Sequence, residues 1–129
     1  MPVDTVRLSK SARDQLITLK RYTRIENWNV LCRWAFCVSL AEESPPRHEK
    51  VTGDSAIEMS WKTFAGEHET LYWALLIERC HRDGITLSEE NLQNFFRVHL
   101  HRGISYLAGD PSLKSISGLL KKVFLNDAR

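Results

Sequence analysis

The sequence lacks the features that mark a membrane or secreted protein. It contains no apolar run of the ~20 residues that a membrane helix needs, and its opening, MPVDTVRLSK, has no apolar core of the kind found in signal peptides. It has only three cysteines, an odd number without paired spacing, which is typical of a reducing compartment. We therefore expect a cytoplasmic protein with no membrane partner, in which Cys32, Cys37 and Cys80 belong to the core.

The motifs of common enzyme classes are missing as well. There is no G-x-x-x-x-G-K-[ST] phosphate loop, no G-x-S-x-G elbow, no H-E-x-x-H pair and no C-x-x-C. The candidate zinc ligands are Cys80, His81, His99 and His101. They are adjacent or two apart on predicted helices, so their side chains diverge and a shared metal is disfavoured. The sequence predicts no catalytic residue, no metal and no cofactor, and hence no enzyme.

Positive charge is concentrated at the start of the chain. The first 40 residues hold seven lysines and arginines against three acidic residues, although the net charge of all 129 residues is only +2. Residues 5–8 alternate between polar and apolar, which predicts a short strand, and Ser9 has the position of a helix cap. At 100° per residue, the helix that follows has an apolar side formed by Ala12, Leu16, Leu19 and Tyr22. Its cations share the other side: Lys10, Arg13, Lys20, Arg21 and Arg24.

A single cationic helix face favours contact with the phosphates of a nucleic acid. A solvated surface helix is the alternative, but such faces usually mix charges of both signs. The next stretch, NWNVLCRWAFCVSLA, is apolar in every direction and so predicts a helix that is buried on all sides. Because the rest of a small chain covers only part of it, we expect neighbouring subunits to cover the remainder in a homo-oligomer.

The rest of the chain predicts further helices around one core. Residues 42–55 contain a Pro pair and a Gly without periodicity, as in an exposed loop, and residues 56–63 alternate as in an extended segment. Helices are expected over residues 67–83, from Ser88 to about Leu107, and from Asp110 onward. The fold class is therefore mainly α, with a short N-terminal strand. We expect a single domain over residues 1–129, composed of a basic strand-helix-helix unit (1–41), the loop (42–55) and a helical remainder (56–129).

Two family resemblances follow from these stretches. The start of the chain is similar to the start of ribbon-helix-helix proteins. Both consist of a strand, a Ser cap, a basic helix and a second helix, which here contains VLCRWAF. In that family two chains pair their N-terminal strands, so the resemblance implies that Thr5 and Arg7 face the DNA groove and that the start of the second helix touches phosphate. The runs VRLSKSARDQLITLKRYTRIENWNVLCRWAFCVSLAEESPP and ITLSEENLQNFFRVHLHRGISYLAGD resemble the DndE family of bacterial DNA sulfur modification proteins.

The DndE resemblance implies an accessory subunit of DNA phosphorothioation. Such a subunit forms a homotetramer, binds nicked double-stranded DNA, and leaves the chemistry to sulfurtransferase-like and ATPase-like partners of the same modification complex. The predicted DNA-contacting residues are Arg7, Lys10, Arg13, Lys20, Arg21, Arg24, Arg33 and Lys62. Three alternatives stay open at this point: a sequence-specific repressor of ribbon-helix-helix type, a nuclease that nicks DNA, and a scaffold that binds acidic proteins.

Overall fold

A computed structural model of the chain describes residues 5–47 and 57–110. Its elements are β1 (Thr5–Arg7), α1 (Lys10–Thr23), α2 (Trp28–Ala41), β2 (Glu58–Ser60), α3 (Trp61–Ala65), a 3-10 turn (Gly66–His68), α4 (Glu69–Arg82) and α5 (Glu89–Ala108). The fold is mainly helical with one short two-stranded sheet, which confirms the predicted class. The helix predicted after Asp110 lies outside the described residues.

The centre of the molecule is the packing of α5 against α2. Gly103 of α5 lies directly against the backbone of Ala35, and a Cβ at position 103 would be 1.7 Å from the Ala35 carbonyl oxygen. Further along, His99 of α5 contacts Ser39 of α2, so the two helices run antiparallel. The glycine therefore permits a close helix contact that any larger residue would push apart.

An aromatic cluster continues this core toward α3. Phe36, Phe64 and Phe96 are fully buried, and their ring centroids are 4.8 to 5.6 Å apart. Trp61 and Tyr72 extend the cluster through tilted and edge-on contacts with Phe64. These are the offset geometries that aromatic pairs prefer, so the cluster fixes α2, α3 and α5 relative to one another.

The α1 helix forms as its sequence predicts, with one difference on its apolar side. The hydroxyl of Ser9 accepts a hydrogen bond from the Ala12 amide at 3.0 Å, which confirms the predicted cap. The buried residues are Ala12, Leu16, Leu19 and Thr23. Tyr22 was expected on this side but is 41% exposed, because it lies at the margin of the buried arc. Thr23 occupies the arc instead, and its hydroxyl donates to the Leu19 carbonyl at 2.7 Å.

The α2 helix is covered mainly by its own chain, because α5, α3 and α1 all pack against it. Its buried residues are Leu31, Cys32, Ala35, Phe36 and Ser39. Cys37 lies opposite this buried side and is exposed, so the prediction that all three cysteines belong to the core is wrong at Cys37. Other apolar residues of α2, among them Trp34 and Val38, are only partly buried by the chain itself. Their cover by neighbouring subunits in a homo-oligomer stays a prediction.

The remaining boundaries follow local signals. The extended segment predicted over residues 56–63 is a strand only as far as Ser60, because the Ser60 hydroxyl accepts from the Thr63 amide and begins α3. The helix predicted over 67–83 begins with a 3-10 turn and ends before Gly84, whose φ is +72°. Ser88 caps α5 as predicted. Of the predicted loop, residues 42–47 are described, and they are exposed except for Pro46.

Candidate nucleic-acid interface

The predicted cations of α1 share its outer face. Lys10, Lys20, Arg21 and Arg24 are exposed, and Arg13 is partly exposed. Lys10, Arg13, Lys20 and Arg21 fall within an arc of about 100° that excludes the buried side. Arg24 follows the helix directly as its C-cap, with a left-handed backbone (φ 60°). A helix of 14 residues is about 21 Å long, so the cations form a row along one rigid element. One apolar side chain, that of Ile17, interrupts the row and is 50% exposed.

The C-terminal half of this face has the most available charge. Within the described parts of the chain, Lys20, Arg21 and Arg24 form no ion pair, and the Arg21 guanidinium lies 5.6 Å from the centroid of the Tyr22 ring. Arg13, in the N-terminal half, pairs with Asp14 at 3.2 Å. That pair is exposed and therefore weak, so it does not prevent Arg13 from meeting a stronger anion. The cations near the C-terminus also interact favourably with the negative end of the helix dipole.

The strand β1 pairs with β2 of the same chain. Val6 lies opposite Met59, and both side chains are buried, whereas Arg7 lies opposite Glu58 on the outer side. The Arg7 guanidinium contacts the Glu58 carboxylate at 3.1 Å. A ribbon-helix-helix protein pairs β1 with β1 of a second chain and directs its side chains at DNA bases. Here the ribbon is formed within one chain, and its outward arginine is balanced by an acid.

The other two predicted cations belong to different elements. Arg33 of α2 is half-buried and donates from Nη1 to the Phe64 carbonyl of α3 at 3.2 Å. A Cβ at Gly66 would come within 3.0 Å of the same nitrogen, so Arg33 fills a confined space. This arginine joins α2 to α3 and is poorly placed to reach a ligand. Lys62 is exposed on α3, away from the row on α1 in sequence.

Two arginines that sequence reasoning missed hold the C-terminus of α2. Arg79 is 4% exposed; its Nε donates to Asp83 at 2.9 Å and its terminal nitrogens donate to carbonyls between Leu40 and Ser44. Arg102 donates to the Ser39 hydroxyl at 2.8 Å, the Ser39 carbonyl at 2.7 Å and the Ser44 carbonyl at 2.8 Å. The last carbonyls of a helix have no partner inside it, and these guanidiniums satisfy them. Only the spacing of Arg79 and Asp83 was visible in the sequence.

The buried His99 and the partly buried His101 have a structural role as well. His101 donates from Nδ1 to the Arg97 carbonyl at 2.7 Å and accepts the Ser9 amide at Nε2 at 3.1 Å, a pattern that requires the neutral ring. Burial lowers the pKa of His101, and it lowers the pKa of His99 to about 3. His101 thereby ties the start of α1 to α5. Among residues 5–47 and 57–110, no group of three or more His, Cys, Asp or Glu residues is placed to hold a metal.

The cysteines are protonated thiols. Burial raises the pKa of Cys32 to about 12 and that of Cys80 to about 11, and it also raises the pKa of Cys37. Because the thiolate is the nucleophile, these environments disfavour sulfur chemistry on this chain.

A family model described as "DNA sulphur modification protein DndE" matches residues 5–115. The chain belongs to the DndE family. Among solved structures it is similar to DndE from Escherichia coli B7A, described as involved in DNA phosphorothioation modification, with 25% identity, a TM-score of 0.68, and coverage of 81% of this chain and 95% of that chain. A glycine-to-lysine double mutant of DndE, described as involved in DNA phosphorothioation, matches with 24% identity, a TM-score of 0.64, and coverage of 83% and 98%. No curated protein matches the chain.

Membership of the DndE family confirms the resemblance found in the sequence, and it supports involvement of the chain in DNA sulfur modification. The similarity to ribbon-helix-helix proteins is limited to the order of strand and helices, because the ribbon of this DndE-family chain is intramolecular. In the described part of the chain, no helix has both the length and the apolar character needed to cross a membrane.

Proposed function

We propose that this DndE-family protein is a cytoplasmic, DNA-binding accessory subunit of the DNA phosphorothioation system. It grips duplex DNA by the sugar-phosphate backbone through the outer face of α1. The sulfur chemistry belongs to its partner proteins, since burial favours the protonated thiols of Cys32 and Cys80. A preference for nicked DNA and assembly into a homotetramer complete the proposal, and both rest on the family resemblance in the sequence.

One observation carries the proposal. Lys20 and Arg21 in the last turn of α1 and Arg24, its C-cap, are exposed, and none of them forms an ion pair within the described residues. Lysine and arginine side chains that neutralise phosphates release condensed counterions, which is the main source of affinity in sequence-independent DNA binding. A rigid helix presents these charges on a backbone that is already ordered, so only the side chains lose freedom on binding. The arrangement therefore suits phosphate contacts, which position a protein on DNA without reading its bases.

The ribbon supports backbone contact over base readout. On the outer side of the ribbon, the Arg7 guanidinium forms an ion pair with Glu58 of the same chain. This ion pair competes with any contact between Arg7 and a DNA base. Equal affinity for unrelated sequences is therefore expected. A sequence-specific repressor would instead prefer one sequence and lose that preference on Arg7→Ala.

The test is a binding series by fluorescence anisotropy on two duplexes of equal length and unrelated sequence. The triple variant Lys20→Gln/Arg21→Gln/Arg24→Gln should lose at least about tenfold in affinity on both duplexes at 0.1 M salt. Arg21→Gln should weaken binding, whereas the matched control Arg82→Gln, another exposed arginine in the last turn of a helix, should not. Unchanged binding by the triple variant would refute the proposal. Repeating the series with a nicked duplex of the same sequence tests the preferred DNA structure.

A further inference from the structure

A pocket of about 420 Å³ lies between the segment after α2 and the last turns of α5. Its volume is within the range of pockets that bind small molecules. Arg47, Arg102, Ser105 and Tyr106 are among its lining residues, with Pro46 and Val98 as apolar walls. Among the described residues that line it, none is acidic. The pocket therefore combines cations, a hydroxyl and an aromatic ring in one concave site.

Arg102 is held rigidly and still has donors to offer. Its Nε, Nη1 and Nη2 each donate one hydrogen bond to Ser39 or Ser44, which uses three of the five guanidinium N-H groups and leaves one on each terminal nitrogen. The guanidinium also lies 5.8 Å from the centroid of the Tyr106 ring, within the range of a cation-π contact. A ligand that binds it meets a preorganised donor.

Arg47 supplies a second, unpaired charge. It is exposed, and it forms no hydrogen bond or ion pair within the described chain. Burial lowers the pKa of Arg102, whereas the nearby carboxylate of Glu42 raises it. Glu42 accepts hydrogen bonds from the amide and hydroxyl of Ser44. The acid is thus engaged by its own loop, and the two arginines in the pocket retain an excess of positive charge.

We propose that this pocket binds a nucleotide, with its phosphate between Arg47 and Arg102 and its base against Tyr106. Guanidinium groups bind phosphate through paired N-H donors, and aromatic rings stack on bases of any identity. His101 lines the same pocket and accepts the amide of Ser9 at the start of α1. The pocket is therefore next to the basic helix, and its nucleotide is either free or the unpaired end of a DNA strand. Binding of a strand end rests on the proposed function, whereas binding of a free nucleotide does not.

The test is calorimetric titration of the full chain with AMP, adenosine and inorganic phosphate. AMP should bind more tightly than phosphate, and adenosine should bind least, because the charged contact contributes most. Arg47→Gln should weaken AMP binding by about tenfold or more, whereas Arg82→Gln on α4 should leave it unchanged. Tyr106→Leu should weaken AMP but not phosphate. Arg102→Gln is a poor test, since Arg102 also holds the end of α2.

Absence of AMP binding, or AMP binding that Arg47→Gln leaves intact, would overturn the inference. The source is identified by repeating the Arg47→Gln comparison on duplexes with and without a one-nucleotide, 5′-phosphorylated overhang. If Arg47→Gln weakens binding of the overhang duplex alone, the pocket takes the end of a DNA strand. If Arg47→Gln changes binding of neither duplex, the pocket takes a free nucleotide. Both conclusions require that the wild-type chain binds AMP. The triple α1 variant should bind AMP normally while it loses duplex DNA. A chain that fails on AMP but keeps salt-dependent duplex binding disproves the pocket and not the basic face.

Discussion

Arginine has two opposite uses in this molecule. On the outer face of α1, Arg21 and Arg24 are exposed and form no ion pair in the described chain, so their charge is available to a ligand. At the end of α2, Arg79 is 4% exposed and donates its hydrogen bonds to Asp83 and to carbonyls of its own chain. Burial and the number of internal partners, rather than residue type, separate arginines that hold the fold from arginines that face a partner.

The largest effect is expected at Arg79. Arg79→Met removes a buried guanidinium and leaves Asp83 and the carbonyls at the end of α2 without their donor. The free energy of unfolding should fall by about 3–5 kcal/mol, as measured by urea denaturation, because one partner of a buried pair is removed. The matched variant Arg21→Met should change it by less than about 0.5 kcal/mol. Similar losses for both variants would erase the distinction between the two classes of arginine.

A second large effect is expected where α5 packs against α2, the contact that brings Arg102 to the end of α2. Gly103→Ala places a Cβ 1.7 Å from the Ala35 carbonyl oxygen, so the two helices must separate. Overpacking of this kind costs about 1–3 kcal/mol, and more when backbone has to move. Thermal unfolding measures the loss. As a control, Gly109→Ala, where the nearest atom is 3.3 Å away, should have a smaller effect.

The lowered pKa values of His99 and His101 predict that stability falls with acidification. The pKa of His99 is lowered to about 3 in the folded chain against 6.5 for the free side chain, and that of His101 is lowered too. Between these values the unfolded chain binds more protons, so unfolding becomes easier as the pH falls from about 6.5 toward 3. Each histidine contributes up to about 1.4 kcal/mol per pH unit.

Urea denaturation at several pH values measures this slope. Carboxylates also titrate in the lower part of the range, so the informative quantity is the difference between the wild type and His99→Gln. The variant should show a flatter dependence between pH 6.5 and 5. Parallel profiles would mean that His99 is not buried as a neutral ring.

The smallest effect is expected for the exposed pair of Arg7 and Glu58, whose side chains are 49% and 46% exposed. Glu58→Gln should reduce stability by less than about 1 kcal/mol, because exposed ion pairs contribute little. The same change removes a negative charge beside Arg7 and should slightly strengthen DNA binding. Weaker DNA binding by Glu58→Gln in an anisotropy titration would contradict this assignment.

Local signals in the sequence predicted the helices well. The caps at Ser9 and Ser88 and the end of α4 before Gly84 each depend on residues within a few positions. The cationic face of α1 was predictable for the same reason, since a helix of known period fixes which side chains share a side. The helical period did not predict the exact edge of the buried side of α1, because Thr23 is buried there and Tyr22 is exposed.

Contacts between distant residues were not predictable. Arg7 meets Glu58 across 51 residues, Arg33 meets the Phe64 carbonyl across 31, and Arg102 meets Ser39 across 63. The sequence contains no periodicity that relates these positions, because they are brought together by the pairing of β1 with β2 and by the packing of α2 against α3 and α5. As a result, the sequence did not show that Arg7 and Arg33, both predicted to contact DNA, have partners in their own chain, and it missed the arginines at the end of α2.

The salt dependence of DNA binding is the most direct test of the assignment of α1 to the phosphate backbone. The slope of log K against log salt, measured between 50 and 200 mM, should flatten by roughly 0.9 for each phosphate that a variant no longer neutralises. The variant Lys20→Gln/Arg21→Gln/Arg24→Gln should therefore show a slope shallower by about 2.7 than the wild type. Equal slopes for the wild type and the folded triple variant would contradict the assignment of α1 to the phosphate backbone.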